Sequence, residues 1–326
     1  MRSFSSKLFT RLKQWFDADQ SPSLSDSDIK KFDWVRCLPY LAMHLACLGV
    51  FWIGWSPIAV FSALGLYLVR MFAITGFYHR YFSHRTFKTN RFFQFCFALL
   101  GCLAVQRGPL WWAAHHRHHH RASDQESDVH SPVQHGFWWS HLVWFTSSAN
   151  FKTHYDRIRD FARFPELVFL TRFDMVVPAL FAISIYITGE ALAALFPGLG
   201  TSGLQMLIWC FFISTIVLGH ATFTINSLAH IYGKRYYATK DNSRNNWFLA
   251  LITLGEGWHN NHHRYPGSVR QGFVWWEIDI TYYLLRAMAV VGIVWDLHPV
   301  PARVVQERQR QPGAMGFSKN QTRSPI

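Results

Sequence analysis

The chain has 326 residues, of which 50% are hydrophobic, 17% aromatic and only 16% charged. That composition excludes a disordered or collagen-like chain and an ordinary water-solvated globule. An excess of 32 Lys and Arg over 19 Asp and Glu leaves a net charge of +13. Such a surplus suits nucleic acid, a lipid headgroup surface or a phosphorylated substrate, and the apolar content favours the membrane.

In chain order, residues 1–37 form a polar, basic segment. Phe4, Leu8, Phe9, Leu12, Trp15 and Phe16 fall at helical spacing within it, as in a helix lying on headgroups or a loosely ordered tail. Four apolar stretches then approach the about 20 residues needed to cross a bilayer: residues 38–55, 58–78, 175–196 and 203–225. Ser56-Pro57 joins the first pair, and Pro197 to Ser202 joins the second. The expected fold is therefore an all-α integral membrane protein with four transmembrane helices in two hairpins. A helical cytosolic cap would be built from the rest of a single domain spanning residues 38–300.

Neither short turn contains Lys or Arg, whereas 7 fall in residues 1–37, 12 in 79–173 and 12 in 227–326. The positive-inside rule places both termini and the long middle segment in the cytoplasm. The cations are thereby used without invoking nucleic acid. Arg70, inside the second span, is expected to snorkel or pair. Phe92 to Val105 and Ile278 to Trp295 read as cytosolic or interfacial helices, because making either a span would part the histidine clusters. Residues 301–326, rich in Arg, Gln, Gly, Ser and Pro, read as a disordered tail. The five cysteines include no C-x-x-C pair and imply no disulfide framework.

Of the 18 histidines, all but His44 follow residue 78. His116, His119 and His120 share one helical face by their i, i+3, i+4 spacing, and so do His259, His262 and His263. Asn226 and His230 are four apart. His79 and His84 are five apart, so they converge only if their helix ends or bends between them. Repeated facial imidazoles point to metal, since imidazole is the commonest protein metal ligand and unpaired burial is costly. The number of ligands suits two adjacent ions rather than one tetrahedral zinc, with Asn226 holding a water or leaving a position open. The spacing alone admits Zn, Cu, Fe or Ni, and no cysteine supports a soft thiolate site.

The boxes His79-Arg80-Tyr81-Phe82-Ser83-His84, His116-Arg117-His118-His119-His120 and His259-Asn260-Asn261-His262-His263, with Glu256-Gly257-Trp258, Tyr265-Pro266 and Asn226-Ser227-Leu228-Ala229-His230, resemble the membrane fatty-acyl desaturases. The closest likeness is to the Δ9 acyl-CoA (stearoyl-CoA type) branch, in a bacterial-like form. The resemblance implies a non-haem centre of two iron ions held by His79, His84, His116, His119, His120, His230, His259, His262 and His263. In it Asn226 holds a metal-bound water. It implies insertion of a cis double bond, Δ9, into a long saturated chain carried as acyl-CoA, with O₂ as co-substrate. Tyr67 and Met71 match positions that floor the acyl tunnel, or they pack as ordinary helix residues. Arg117, Asp124 and Glu256 are candidates to orient ligands, with Arg117 expected to reach acids such as Asp124 or Glu126. Trp111-Trp112 and Trp138-Trp139 either line the tunnel mouth or form an interfacial belt.

The resemblance also has gaps. The animal acyl-CoA enzymes carry an Arg-Asp pair before the second box, and here those positions are Ala114-His115. Lys152, Arg157 and Arg159 are substitute candidates for the headgroup. The carrier is then acyl-CoA or a phospholipid acyl chain. No iron–sulfur cysteine set or fused haem segment is visible, so electrons are expected from a separate ferredoxin, rubredoxin or cytochrome b5-like donor and its reductase. A bacterial inner membrane fits better than the endoplasmic reticulum. The competing readings are a related di-iron alkane or lipid hydroxylase and a metal transporter. A transporter would place its ligands near the bilayer midplane, not at span ends.

Overall fold

The structure, a computed structural model, describes Lys13, residues 15–20 and residues 32–309. Most of the apolar stripe expected near the N-terminus lies outside the described residues. Among the described residues the chain is helical, with isolated bridge pairs in place of strands.

Three helices are long and apolar enough to cross a membrane: α2 (Pro57–Ser83), α6 (Val176–Leu195) and α7 (Gly203–His230). They match the second, third and fourth expected spans. The first differs. α1 (Trp34–Cys47) stops at Leu48, and Val50–Ile53 resumes as a separate short helix. The apolar segment Cys37–Ile53 is thus shorter than the three candidate spans. Gly49, which keeps helical dihedrals, lets the segment pack closely on α7: a Cβ there would lie 2.9 Å from Ile208 Cδ1. Three helices are thus long enough to span, and the first expected span corresponds to the shorter apolar segment Cys37–Ile53.

Ser56 starts α2 by accepting the Ala59 N–H (3.3 Å), with Pro57 in the first turn, where its missing N–H costs nothing. α6 and α7 run as a tight hairpin in which a Cβ on Gly189 would meet Gly203 Cα at 2.7 Å. Arg70 neither snorkels nor finds an acid. It is fully buried, and its guanidinium donates to Thr215 Oγ1 (2.6 Å), Ser214 Oγ (2.6 Å) and the carbonyls of Leu66, Leu103 and Cys210. The charge is spread over neutral acceptors, which offsets the cost of holding it inside the bundle.

The cap comprises α3 (Arg91–Cys102), α4 (Pro109–Ala122), α5 (Pro165–Arg172), α8 (Trp247–Ile252), α9 (His259–Arg264), α10 (Ile280–Val290) and α11 (Ala302–Gln309). α3 and α10 are too short to span, in line with the cytosolic or interfacial reading. One buried core, including Phe77, Phe82, Phe97, Leu110, Leu167 and Leu285, joins the C-terminal half of α2 to α3, α4, α5 and α10. The expected disordered tail needs correction over its first part: Ala302–Gln309 is a docked helix. Val304 is buried against Tyr237 and Phe273, Arg308 donates to Glu277 (2.6 Å), and Arg264 pairs with Glu307. These partners lie far back in the sequence, where composition does not reveal them.

Candidate metal centre

The second box sits on α4, whose 3.6-residue turn sets His116, His119 and His120 on one face. α9 does the same for His259, His262 and His263. The first box uses a different device. Residues Ala73–Ser83 of α2 are wound as a π-helix, and the His84 N–H donates to the His79 carbonyl five residues back (3.2 Å). The wider turn, with the helix ending at Ser83 just before His84, brings both rings to one side. Beyond Asn226 the backbone tightens into a 3₁₀ turn, Leu228–His230, which carries His230 inward.

These elements bring the nine candidate imidazoles into two groups: His79, His84, His116, His120 and His262, and His119, His230, His259 and His263. In the first, His79 and His262 ring nitrogens are 3.0 Å apart, His84 and His116 2.9 Å, and His120 and His262 2.9 Å. In the second, His230 and His259 lie 3.1 Å apart. Ring planes of adjacent imidazoles stand nearly perpendicular, 88° for His84 and His116 and 86° for His230 and His263. Rings arranged this way aim lone pairs at a shared point.

Carboxylates fix which nitrogen is free. His79 Nδ1 pairs with Glu256, His119 Nδ1 with Asp128 (2.9 Å), His230 Nδ1 with Asp124 (3.0 Å) and His263 Nδ1 with Asp241 (2.8 Å). Each pair leaves Nε2 inward, as carboxylate–histidine–metal arrangements do. Burial opposes ionisation of Asp124, but the His230 contact and charge outweigh it and hold the carboxyl down at about 2. Burial, reinforced by neighbouring imidazoles, keeps His84, His116, His120, His259 and His262 well below the ordinary histidine range. Neutral imidazole is the form a metal ion requires. Among the described residues, His263 Nε2, opposite the Nδ1 held by Asp241, is buried without a partner. The donor set therefore fits two ions.

Glu256 and Asp124 stand beside ligand candidates, as expected. Arg117 meets Asp160 (2.8 and 2.9 Å) rather than Asp124 or Glu126, and the carbonyls of Phe82 and Ser83, tying α4 to the end of α2 next to His84. Sequence reasoning missed Asp128 and Asp241. It also missed Arg80, which is buried between Glu256 and Asp279 and holds the Glu256 carboxylate against His79. In a chain with 19 acids, carboxylates between the boxes were the available signal. His44 contacts His220 (3.2 Å), which contacts His141 (3.1 Å), apart from both groups.

A cavity of about 290 Å³ is lined by Pro39, Tyr40 and Met43 of α1 together with Trp111, Trp112, His116 and Asn226. Trp112 stacks on His116 (centroids 5.0 Å apart), and Gln106 donates to Thr222 across the wall (3.0 Å). Trp111 and Trp112 therefore line the cavity, while Trp138 is exposed. Tyr67 and Met71 do not border it: Met71 is buried in the core with Tyr67 packed alongside, and the Tyr67 hydroxyl donates to Ile252 O (2.6 Å). Lys152 and Arg159 are exposed and Arg157 half-buried, in the segment that follows cavity-lining Phe151.

A paired imidazole site at the ends of apolar helices, with a greasy cavity leading to it, defines a histidine-rich membrane metalloprotein acting on a lipid-like chain. The sequence pattern of the family described as "Fatty acid desaturase" matches residues 28–294, and the chain belongs to that family. It is 36% identical to the Arabidopsis thaliana Delta-9 acyl-lipid desaturase 1 over 290 residues, 88% of each chain. It is 35% identical to an acyl-CoA 5-desaturase of Anemone leveillei, over 91% of each chain. With the sn-2 palmitoyl-lipid 9-desaturase of Nostoc sp. (strain 36) it shares 33% identity over 80% of this chain and 88% of the other.

Proposed function

We propose that this protein is an O₂-dependent di-iron desaturase that introduces a cis double bond, Δ9, into a long saturated acyl chain borne by a membrane lipid. The convergence of nine imidazoles into two adjoining groups beside an apolar cavity carries the reading. Two iron ions, held by the five- and four-histidine groups, supply the oxidising chemistry that an unactivated methylene needs and no side-chain base provides. The chain's own residues do the rest. Asp124, Asp128, Asp241 and Glu256 fix imidazole orientation, Asn226, which lines the cavity with His116, would position a water at the metals, and the cavity would hold one carbon pair beside His116.

Lipid-borne substrate is favoured at Ala114-His115. Both residues are buried, so no cation stands there for a CoA headgroup, and two of the relatives above are acyl-lipid enzymes. Acyl-CoA is the second reading, supported by exposed Lys152 and Arg159 next to the cavity wall. Electrons come from a separate ferredoxin, rubredoxin or cytochrome b5-like carrier, drawn to the basic cap of a chain with net charge +13. Both termini face the cytoplasm of a bacterial inner membrane.

The test is anaerobic purification with iron, followed by donor, O₂ and either stearoyl phospholipid or stearoyl-CoA. Two irons per chain and a C9 alkene are expected. A hydroxylated product without alkene, or a folded protein that never takes up iron, overturns the proposal.

A further inference from the structure

The two imidazole groups differ in what stands behind them. In the four-histidine group three rings turn Nδ1 to a carboxylate: His119 to Asp128, His230 to Asp124 and His263 to Asp241. All three carboxylates are buried and, among the described residues, none pairs with a Lys or Arg. They accept from neutral donors instead. Asp124 takes the Asn242 N–H (2.7 Å) and the Ser131 hydroxyl (2.6 Å), Asp128 the Asp124 N–H (3.0 Å) and Asp241 the Ser243 N–H (3.0 Å). The other ring at Asp128, His130 (3.3 Å), stays neutral, since burial outweighs the pull of Asp128 and pushes its pKa down to about 3.

The five-histidine group has one such contact, His79 with Glu256. Among the described residues His84, His116, His120 and His262 pair with no carboxylate. Glu256 is shared with Arg80, whose Nη2 and Nε donate to its Oε1 (3.0 and 3.3 Å), and with the Gln271 amide (3.1 Å). Asp279 takes the other side of the guanidinium (3.0 Å). Arg80, Glu256 and Asp279 together carry one net negative charge, against three behind the four-histidine group.

A buried anion stabilises a metal ion more as the ion's charge rises, and little water screens it inside a protein. A ring N–H held by a carboxylate also makes the opposite nitrogen a more basic ligand. Both effects favour ferric over ferrous iron, and both fall on the same group. We infer that Asp124, Asp128 and Asp241, set against Arg80, make the two iron positions unequal, so that the five-histidine group accepts the first electron and the four-histidine group the second. The inference rests on the di-iron reading above. These residues act through the imidazoles they touch and set the order of reduction without meeting the substrate. The order matters because a ferredoxin, rubredoxin or cytochrome b5-like carrier delivers electrons singly.

The test is a reductive titration of the iron-loaded full chain in detergent, with dithionite and mediators, followed by Mössbauer and EPR spectroscopy. Each step takes one electron and turns one ferric ion ferrous, while dithionite is oxidised to sulfite. The unaltered chain is expected to show two steps, with separate ferric and ferrous signals at the halfway point. One merged step, or a valence-averaged spectrum, overturns the inference without any variant. The variants then assign the steps. Two equal ions would also repel one another and split, but changing a charge beside either would widen that split. Here Asp128→Asn and Asp241→Asn, loaded at saturating iron, are expected to raise the second step and narrow the gap. Arg80→Gln is expected to lower the first step and narrow it too, and Arg80→Lys, which keeps the charge, to restore the wild-type gap. A wider or unchanged gap overturns the unequal sites alone. Two steps that behave as expected, with no alkene from stearoyl phospholipid or stearoyl-CoA, overturn the desaturase reading and leave the inequality standing. A folded chain that takes up no iron overturns both.

Discussion

His79 and His84 are joined by a single π-turn, in which the His84 amide donates to the His79 carbonyl at 3.2 Å. Their rings stand 4.9 Å apart, inclined at 81°. In an α-helix the second ring would belong at position 83, whose hydroxyl here donates to the Tyr78 carbonyl, also five residues back (2.8 Å). Exchanging the two, Ser83→His with His84→Ser, therefore gives the spacing an α-helix favours and the wrong spacing for this one. The exchanged protein is expected to lose metal from the five-histidine group. Iron per chain near the wild-type value would show that the winding does not set the geometry.

The carboxylates behind His119 and His263 carry a second prediction. Burial opposes charge on Asp241, but the His263 contact and charge hold the carboxyl well below its usual range. Asp241→Asn and Asp128→Asn remove the charge that polarises each ring and fixes its tautomer. Metal affinity of the four-histidine group should drop by about 10–100-fold. Chelator titration is expected to show one class of iron weakened and the other unchanged.

Arg308 on α11 anchors α9 from outside. It is the cation on Glu277, which is 1% exposed and accepts from Asn261 (2.7 Å), a residue between the ligand candidates of α9. Arg308→Gln leaves a buried carboxylate unmatched, a loss on the order of 3 kcal/mol, and should speed iron release to a chelator. Adding Glu277→Gln removes the orphaned charge and should restore most of the loss. Equal release from the single and double variants would refute the coupling.

Arg70 supports the bundle rather than the chemistry. Arg70→Met strands acceptors that the guanidinium now satisfies, at about 1–3 kcal/mol, and should lower the melting temperature of the detergent-solubilised protein without altering iron content. Arg70→Lys cannot fork to both Ser214 and Thr215, so it should fall between the two.

Much of the site was legible because imidazoles at i, i+3 and i+4 share a face whatever the tertiary structure. His116, His119 and His120 needed only a helix, and so did His259, His262 and His263. His79 and His84 were ambiguous, since spacing rules assume α winding and nothing in Ala73–Ser83 announces the wider turn. Asp128 and Asp241 act across loops, where no periodicity relates them to the rings they touch. The first expected span corresponds to the shorter apolar segment Cys37–Ile53, because hydropathy sums side chains and does not register the turn at Leu48 and Gly49. The helix Ala302–Gln309 was invisible to composition, because one buried Val304 and two ion pairs hold it, not an apolar face.

α9 contributes to both metal groups, His262 to one and His259 with His263 to the other. A ribosome must therefore release about four-fifths of the chain before either site is complete. Until then the earlier boxes would be bare imidazoles, open to any scavenged cation. Metal uptake by the two groups would consequently come late in the life of each molecule, and a chain cut short before residue 259 would lack imidazoles of both groups.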